Sequence, residues 1–206
     1  MPSGSEIFSF LEQYYATWGY LIVFVAAILE STPFLAWFIP GVYLTILGAI
    51  YSNNGIISFP PLVFSLALGW FIGDNINFVF GKLGWYTFLN KIGLGHLLSR
   101  GERWMKKHEE AALLIGHVSP NISWSVTMTS GILKIPYRKF FWQTLLSVAI
   151  WSTAYGTVGY LLGYQRPLVE KIFDLAFWPF IALFVIWVLW RISLTVKHRR
   201  IHHILP

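Results

Sequence analysis

Six long apolar stretches limit what this chain of 206 residues can fold into. A helix needs about 20 apolar residues to cross a bilayer, and four of the stretches reach that length without a central break. Only 12% of the residues are charged, about half the share found in soluble domains. We therefore expect an all-α polytopic membrane protein with about four spanning helices and a single membrane domain over residues 1–206. The stretches cover residues 7–29, 33–50, 58–81, 111–133, 140–163 and 175–195.

Two of the stretches, 33–50 and 111–133, are interrupted by proline and glycine. Proline removes a backbone donor and disfavours helix at the preceding residue. Irregular backbone at membrane depth is tolerated only where protein buries it or a water-filled cavity meets it. We predict that both segments are re-entrant helical hairpins or interrupted helices. The predicted breaks are Pro33, Pro40 and Gly41 in the first segment and Pro120 and Gly131 in the second.

The basic residues orient the chain. All fifteen Lys and Arg lie at or after Lys82, and twelve of them form clusters at 82–107, 134–139 and 197–200. The positive-inside rule places these clusters in the cytoplasm, so we expect a multi-pass protein of the cell (inner or plasma) membrane with a cytoplasmic C-terminus. The segment 83–110 mixes charge with Leu, Ile and Trp and predicts an amphipathic interfacial helix, either a connector or a contact for lipid headgroups. Residues 168–206 predict a final spanning helix with a basic tail. The positive-inside rule explains the basic tail better than binding to nucleic acid does.

The two halves of the chain contain the same parts in the same order. Each broken segment ends in a small-Gly-apolar step, LGAI at 47–50 and SGIL at 130–133, and a Gly-rich span follows each. The predicted topology brings one segment in from outside and the other from inside, which makes an inverted repeat. Paired Gly/Pro-interrupted segments indicate a substrate site near the midplane of a transporter. Close helix packing alone also favours Gly-rich spans.

Several stretches together resemble the DedA family of membrane proteins, which belongs to the VTT-domain (SNARE-associated) superfamily. They are ILESTPFLAWFIPGVYLTILGAI, LALGWFIGDNINFVFGKLGW and the run from HEEAALLIGHVSPN to TVGYLLG, within residues 20–165. The resemblance implies movement of lipids across the bilayer, either undecaprenyl phosphate or phospholipids, with a link to proton-motive force. The chain is similar to a divergent member. Val42 stands where the family has a second acid, and His117 and Ser123 stand where it has two arginines.

Two acids are candidates for binding substrate or protons. Glu30 follows the first apolar stretch, and an ionisable group in the membrane is functional by default because its burial is costly. The alternative for Glu30 is a helix-capping or interfacial role. Asp74 lies within a predicted span, where it either lines a cavity or satisfies backbone donors of a broken segment.

Four further candidates lie in or just after the second broken segment. His117 can titrate near neutral pH and bind an anionic phosphate, or it can be a hydrogen-bonded core histidine. Asn121 and Ser123 are the lining candidates in a run of small polar residues that otherwise favours helix–helix packing. Arg138 can grip a phosphate with two parallel hydrogen bonds, or it can anchor the cytoplasmic end of the next helix.

These features favour a lipid flippase or scramblase for a polyprenyl phosphate or a phospholipid. Its expected partners are a lipid with an anionic headgroup and the bilayer itself, while homo-oligomerisation stays open. A proton-coupled transporter of small solutes or ions and a non-transporting membrane partner are the alternatives. We expect no enzyme, because no nucleophile with a base and an anion cradle is evident. We also expect no cofactor and no metal, because the chain has no Cys and its His are scattered.

Overall fold

A computed structural model describes the protein at residues 4–32, 41–84, 99, 102–103, 105–107, 111–117, 120–165, 167 and 171. The chain divides into two compact units, Leu11–Tyr164 and a second unit of Met1–Phe10 with Gln165–Pro206. In the second unit the structure describes little beyond the first turns of the N-terminal helix.

The described part of the chain is helical. Three of its helices contain stretches long and apolar enough to cross a membrane, Ser9–Ser31, Phe59–Lys82 and Tyr137–Gly163. They confirm the predicted spans 7–29, 58–81 and 140–163 to within a few residues. The predicted span 175–195, the C-terminal region 168–206 and most of the interfacial segment 83–110 lie outside the described residues. The helices are α1 (Gly4–Ser31), α2 (Gly41–Asn53), α3 (Phe59–Lys82), α4 (Ala112–Gly116), α5 (Pro120–Ile132) and α6 (Tyr137–Gly163).

The second broken segment is an interrupted helix. The short helix α4 ends at Gly116, and Pro120 begins α5, a position that suits proline because the first N–H groups of a helix have no intrahelical partner. Gly131 was predicted to be a break, and this prediction is wrong, since α5 runs through it to Ile132. In the first segment α1 ends at Ser31 and α2 begins at Gly41, while Pro33 and Pro40 lie outside the described residues.

The helices of the two halves pack against each other in a reciprocal way. Helix α2, from the first broken segment, lies against the later span α6, and helix α5, from the second, lies against the earlier span α3. Whether the halves are related as an inverted repeat stays a prediction. The contact does bring both broken segments into the same helical body.

The crossing of α3 and α5 depends on two glycines. A Cβ atom on Gly131 would overlap the carbonyl oxygen of Phe78, and one on Gly81 would overlap that of Met128. The backbones therefore meet with no side chain between them, as small residues permit in membrane helices. Gly131 was assigned the wrong role from the sequence because a glycine needed for close packing looks the same as one that ends a helix.

Candidate functional site

A buried pair of ionisable side chains joins α3 to the residue that follows α4. His117 Nε2 is 2.7 Å from Asp74 Oδ2, and the two residues are 6% and 0% exposed. The second carboxyl oxygen, Asp74 Oδ1, is also buried and has no hydrogen-bond partner within the described ranges. Isolated charges are expensive inside a membrane, so the pairing explains how both groups can be held there.

The other ring nitrogen of His117 meets two acceptors. Nδ1 lies 3.1 Å from the carbonyl oxygen of Leu113 and 2.9 Å from Ser147 Oγ, and that hydroxyl donates to the same carbonyl at 3.1 Å. A carboxylate only accepts, so Nε2 must carry a proton when Asp74 is ionised. Ser147 Oγ can donate to Nδ1 of a neutral imidazole or accept from Nδ1 of an imidazolium. In the second case His117 and an ionised Asp74 form a pair with no net charge.

One face of α6 holds α4 in place. Ser147, Trp151 and Tyr155 are four residues apart, so they lie on the same side of the helix. Ser147 contacts the last turn of α4 as described, and Trp151 Nε1 donates to the carbonyl oxygen of Leu114 at 2.7 Å. Both bonds use carbonyl groups at the C-terminal end of α4 that have no partner within the helix. The short helix and its His117 are thus fixed by side chains of α6.

Glu30 lies at the other break. It is 4% exposed in the last turn of α1, and its carboxylate faces the first residue of α2. A Cβ atom on Gly41 would lie 2.5 Å from Glu30 Oε2, so only glycine leaves room for the carboxylate there. The start of a helix carries partial positive charge, which favours an anion at this place. The sequence had placed Glu30 just beyond the first apolar stretch, whereas the helix continues through it.

Aromatic rings connect the two breaks. The Trp70 ring centroid lies 6.2 Å from that of His117 and 5.6 Å from that of Tyr155. The carboxylate of Glu30 lies within electrostatic range of Tyr155. The ionisable groups of both broken segments are therefore neighbours of one aromatic pair, Trp70 and Tyr155.

The end of α1 is fixed on α3 beside Asp74. Asn77 Nδ2 donates to the carbonyl oxygen of Ser31 at 2.6 Å. A Cβ atom on Gly73 would overlap Ser31 Cβ, so glycine is what permits the approach. Asp74 thus lies in the same part of α3 as Gly73 and Asn77, which contact Ser31 at the first break, while its own carboxylate contacts His117 at the second break.

The remaining predicted site residues lie elsewhere. Ser123 is buried in α5, where its carbonyl oxygen accepts the hydroxyl of Thr127, and Ser130 likewise bonds to its own helix. Such back-bonding fits the packing role expected for most of the polar run. Arg138 is exposed in the first turn of α6. The side chain of Asn121 lies outside the described part of the chain.

Sequence reasoning missed the contribution of α6. Ser147, Trp151 and Tyr155 are not among the predicted site residues, and neither is Trp70 of α3. The spacing of Ser147, Trp151 and Tyr155 was a usable signal, because polar and aromatic side chains repeated every four residues lie on one helical face. The partner of His117 could not be predicted, since Asp74 is 43 residues away in the chain.

Comparison with known proteins defines the class. A family model described as the VTT domain matches residues 38–161, which is more than half of the chain. The chain therefore belongs to the VTT-domain family, the group that includes the DedA proteins, and the resemblance expected from its motifs is confirmed. It is a membrane protein, as its relatives are.

Three relatives illustrate the range of the family. An uncharacterized membrane protein, BU139 of Buchnera aphidicola, is 26% identical over 190 residues, which cover 88% of this chain and 73% of that protein. Undecaprenyl phosphate transporter A of Bacillus subtilis is 25% identical over 153 residues, which cover 72% of this chain and 77% of the transporter. Inner membrane protein YqjA of Escherichia coli is 25% identical over 159 residues, which cover 75% of this chain and 72% of that protein. No solved structure matches the chain.

Proposed function

We propose that this protein carries a lipid with a phosphate headgroup, either a polyprenyl phosphate or a phospholipid, across the cell membrane. The observation that carries the proposal is the buried Asp74–His117 pair at one break, joined through Trp70 and Tyr155 to Glu30 at the other. Ionisable groups inside a membrane mark substrate or proton pathways far more often than they serve packing.

Family and packing both support this function. One relative is named undecaprenyl phosphate transporter A, which brings the substrate class to this chain as part of the proposal. The reciprocal contacts of α2 with α6 and of α5 with α3 are those expected of an inverted repeat around a central site. Such a site alternates its access when one repeat moves against the other.

The chemistry of the pair suggests how a phosphate enters. An anionic headgroup competes with Asp74 for the imidazolium of His117, because both offer oxygen acceptors to the same N–H. When the phosphate takes this place, Asp74 is left buried without its partner. The link of lipid movement to the proton gradient then runs through this buried pair, without the second acid or the arginines of the family.

The proposal is tested with the purified protein in phosphatidylcholine liposomes. Transbilayer movement is followed for a fluorescent polyprenyl phosphate, a fluorescent phosphatidylglycerol and a fluorescent phosphatidylcholine, each with and without a pH gradient. We expect at least one anionic lipid to move faster than in empty liposomes, and the rate to change when the gradient is imposed.

Two results would contradict the proposal. If neither anionic lipid moves faster than in empty liposomes, the proposal that the protein transports these lipids is wrong. If an internal pH dye reports proton flux in response to small solutes while all three lipids stay in place, the protein is a proton-coupled solute transporter instead.

A further inference from the structure

A groove with apolar walls opens beside α4, separate from the buried pair. Its volume is about 280 Å³. The floor is formed by Ala112 and Leu113 of α4, and the walls by Met105, Leu133 and Ile135. Cavities for small ligands start at about 300 Å³, so the groove has room for a headgroup and the first carbons of a chain rather than for a whole lipid.

The turn between α5 and α6 fixes the wall. Lys134 has a φ of 52°, and the N–H groups of Lys134 and Ile135 donate to the carbonyl oxygens of Gly131 and Ser130 at 3.0 and 3.1 Å. This left-handed turn closes the end of α5, as helix C-termini commonly do. Leu133, in this turn, is half exposed.

The polar members of the lining are basic or neutral. They are Lys106, Lys139 and Gln143. Lys106 also pairs with Glu102 at 2.8 Å, and this hydrogen bond and charge hold the pKa of Glu102 below its usual range. The pair is exposed, so it is weak and can yield to a stronger anion. A lining that combines lysines with apolar side chains complements an amphiphile whose head is negative and whose tail is apolar.

Leu113, which lines the groove, also contacts His117. The side chain of Leu113 lines the groove, while the carbonyl oxygen of the same residue accepts Ser147 Oγ and faces His117 Nδ1. Leu113 therefore belongs both to the lining of the groove and to the hydrogen-bond set around His117.

We propose that this α4 groove binds the phosphate headgroup of an anionic membrane lipid, with Lys139 and Lys106 on the phosphate and Leu133 and Ile135 along the first carbons of the tail. It is the loading site from which the headgroup passes to the buried pair. Its role in loading rests on the proposed function, whereas binding to the groove can be measured without transport.

The test is a binding titration of the full-length protein in dodecylmaltoside micelles with fluorescent dioleoyl phosphatidic acid. The variants are Lys139→Gln, Lys106→Gln, Ile135→Asp and, as the matched control, Lys134→Gln, which removes a charge from the same turn outside the lining. Arg138→Gln tests the neighbouring arginine that sequence analysis preferred. Phosphatidylcholine and inorganic phosphate serve as competitors.

A surface-bound cation contributes about 1 kcal/mol to anionic lipid binding, so we expect Lys139→Gln and Lys106→Gln each to weaken binding about fivefold. Ile135→Asp should weaken it at least as much, because it places a carboxylate in the wall. Lys134→Gln and Arg138→Gln should bind as the wild type does. Neither phosphatidylcholine nor inorganic phosphate should compete, because one lacks the net charge and the other lacks the tail.

The inference is overturned if Lys134→Gln or Arg138→Gln weakens binding as much as Lys139→Gln, or if Ile135→Asp has no effect. It is also overturned if inorganic phosphate competes as well as the lipid, which would identify an anion site without a place for the tail. If Lys139→Gln loses binding and the wild type moves no lipid in liposomes, the groove is a lipid site but the proposed transport is wrong. If Lys139→Gln binds normally and the wild type moves lipid, the proposed transport is supported but the groove is not the binding site.

Discussion

The strongest energetic prediction concerns the pair formed by Asp74 and His117. We consider three variants, Asp74→Asn, His117→Gln and the double substitution. Each single variant leaves one ionisable group buried without its partner, because the two side chains are almost completely inaccessible. The double variant replaces the charged pair with a neutral one whose members can still form a hydrogen bond.

The magnitude follows from the distance and the burial. With 2.7 Å between Nε2 and Oδ2, the centres of charge are roughly 4 Å apart, and at an effective dielectric constant of 20 they attract by about 4 kcal/mol. Removing one member of a buried pair costs about 3–5 kcal/mol for the same reason. We expect each single variant to lose about 3 kcal/mol, and the double variant to lose less than the sum by about 2 kcal/mol.

The assay is equilibrium unfolding in mixed dodecylmaltoside and SDS micelles. Tyr137→Phe is the control, since it removes an exposed 2.9 Å hydrogen bond to Asn75 that joins α6 to α3, the helix of Asp74, and it should change stability by less than about 0.5 kcal/mol. If the losses of Asp74→Asn and His117→Gln simply add in the double variant, the two groups do not interact and the reasoning about a neutral ion pair is wrong.

Three further predictions concern packing and hydrogen bonding. Gly131→Ala should destabilise the protein by about 3 kcal/mol in the same unfolding assay, because its Cβ meets the backbone of α3, whereas Gly116→Ala, with 3.6 Å to its nearest neighbour atom, should be tolerated. Gly41→Ala should displace the Glu30 carboxylate and slow lipid movement in liposomes, and transport at the wild-type rate would show that this contact is not needed. Ser147→Ala should cost about 1 kcal/mol on unfolding, because it removes a buried donor to the carbonyl of α4, and a change within experimental error would contradict that.

The spans and the interruption at Pro120 could be predicted because they depend on local properties. Apolar runs of sufficient length specify the helices, and a proline after a polar turn marks where one helix ends and the next begins. The boundaries of α3 and α6 accordingly agree with the sequence to within three residues. Helix α1 ends two residues past its apolar run. The approach of Glu30 to Gly41 at the start of α2 is a contact between segments that no local pattern contains.

The candidate site was only partly accessible to the same reasoning. Asp74 and His117 could each be singled out as costly ionisable residues, but nothing in their spacing shows that they meet. Their contact follows from the crossing of α3 with the second broken segment, which Gly81 and Gly131 permit. The groove could not be predicted either, because its lining comes from four separate parts of the chain.

The central claim is that lipid moves through the site between the two breaks. The most direct measurement compares the transbilayer rate of a fluorescent polyprenyl phosphate in liposomes containing the wild type, Glu30→Gln or Glu12→Gln. Glu12 lies on the same helix, roughly 27 Å from Glu30 along its axis, so its substitution removes an equal charge away from the site. We predict that Glu12→Gln moves the lipid at the wild-type rate and that Glu30→Gln falls towards the rate of empty liposomes. Equal rates for Glu30→Gln and the wild type would contradict the account.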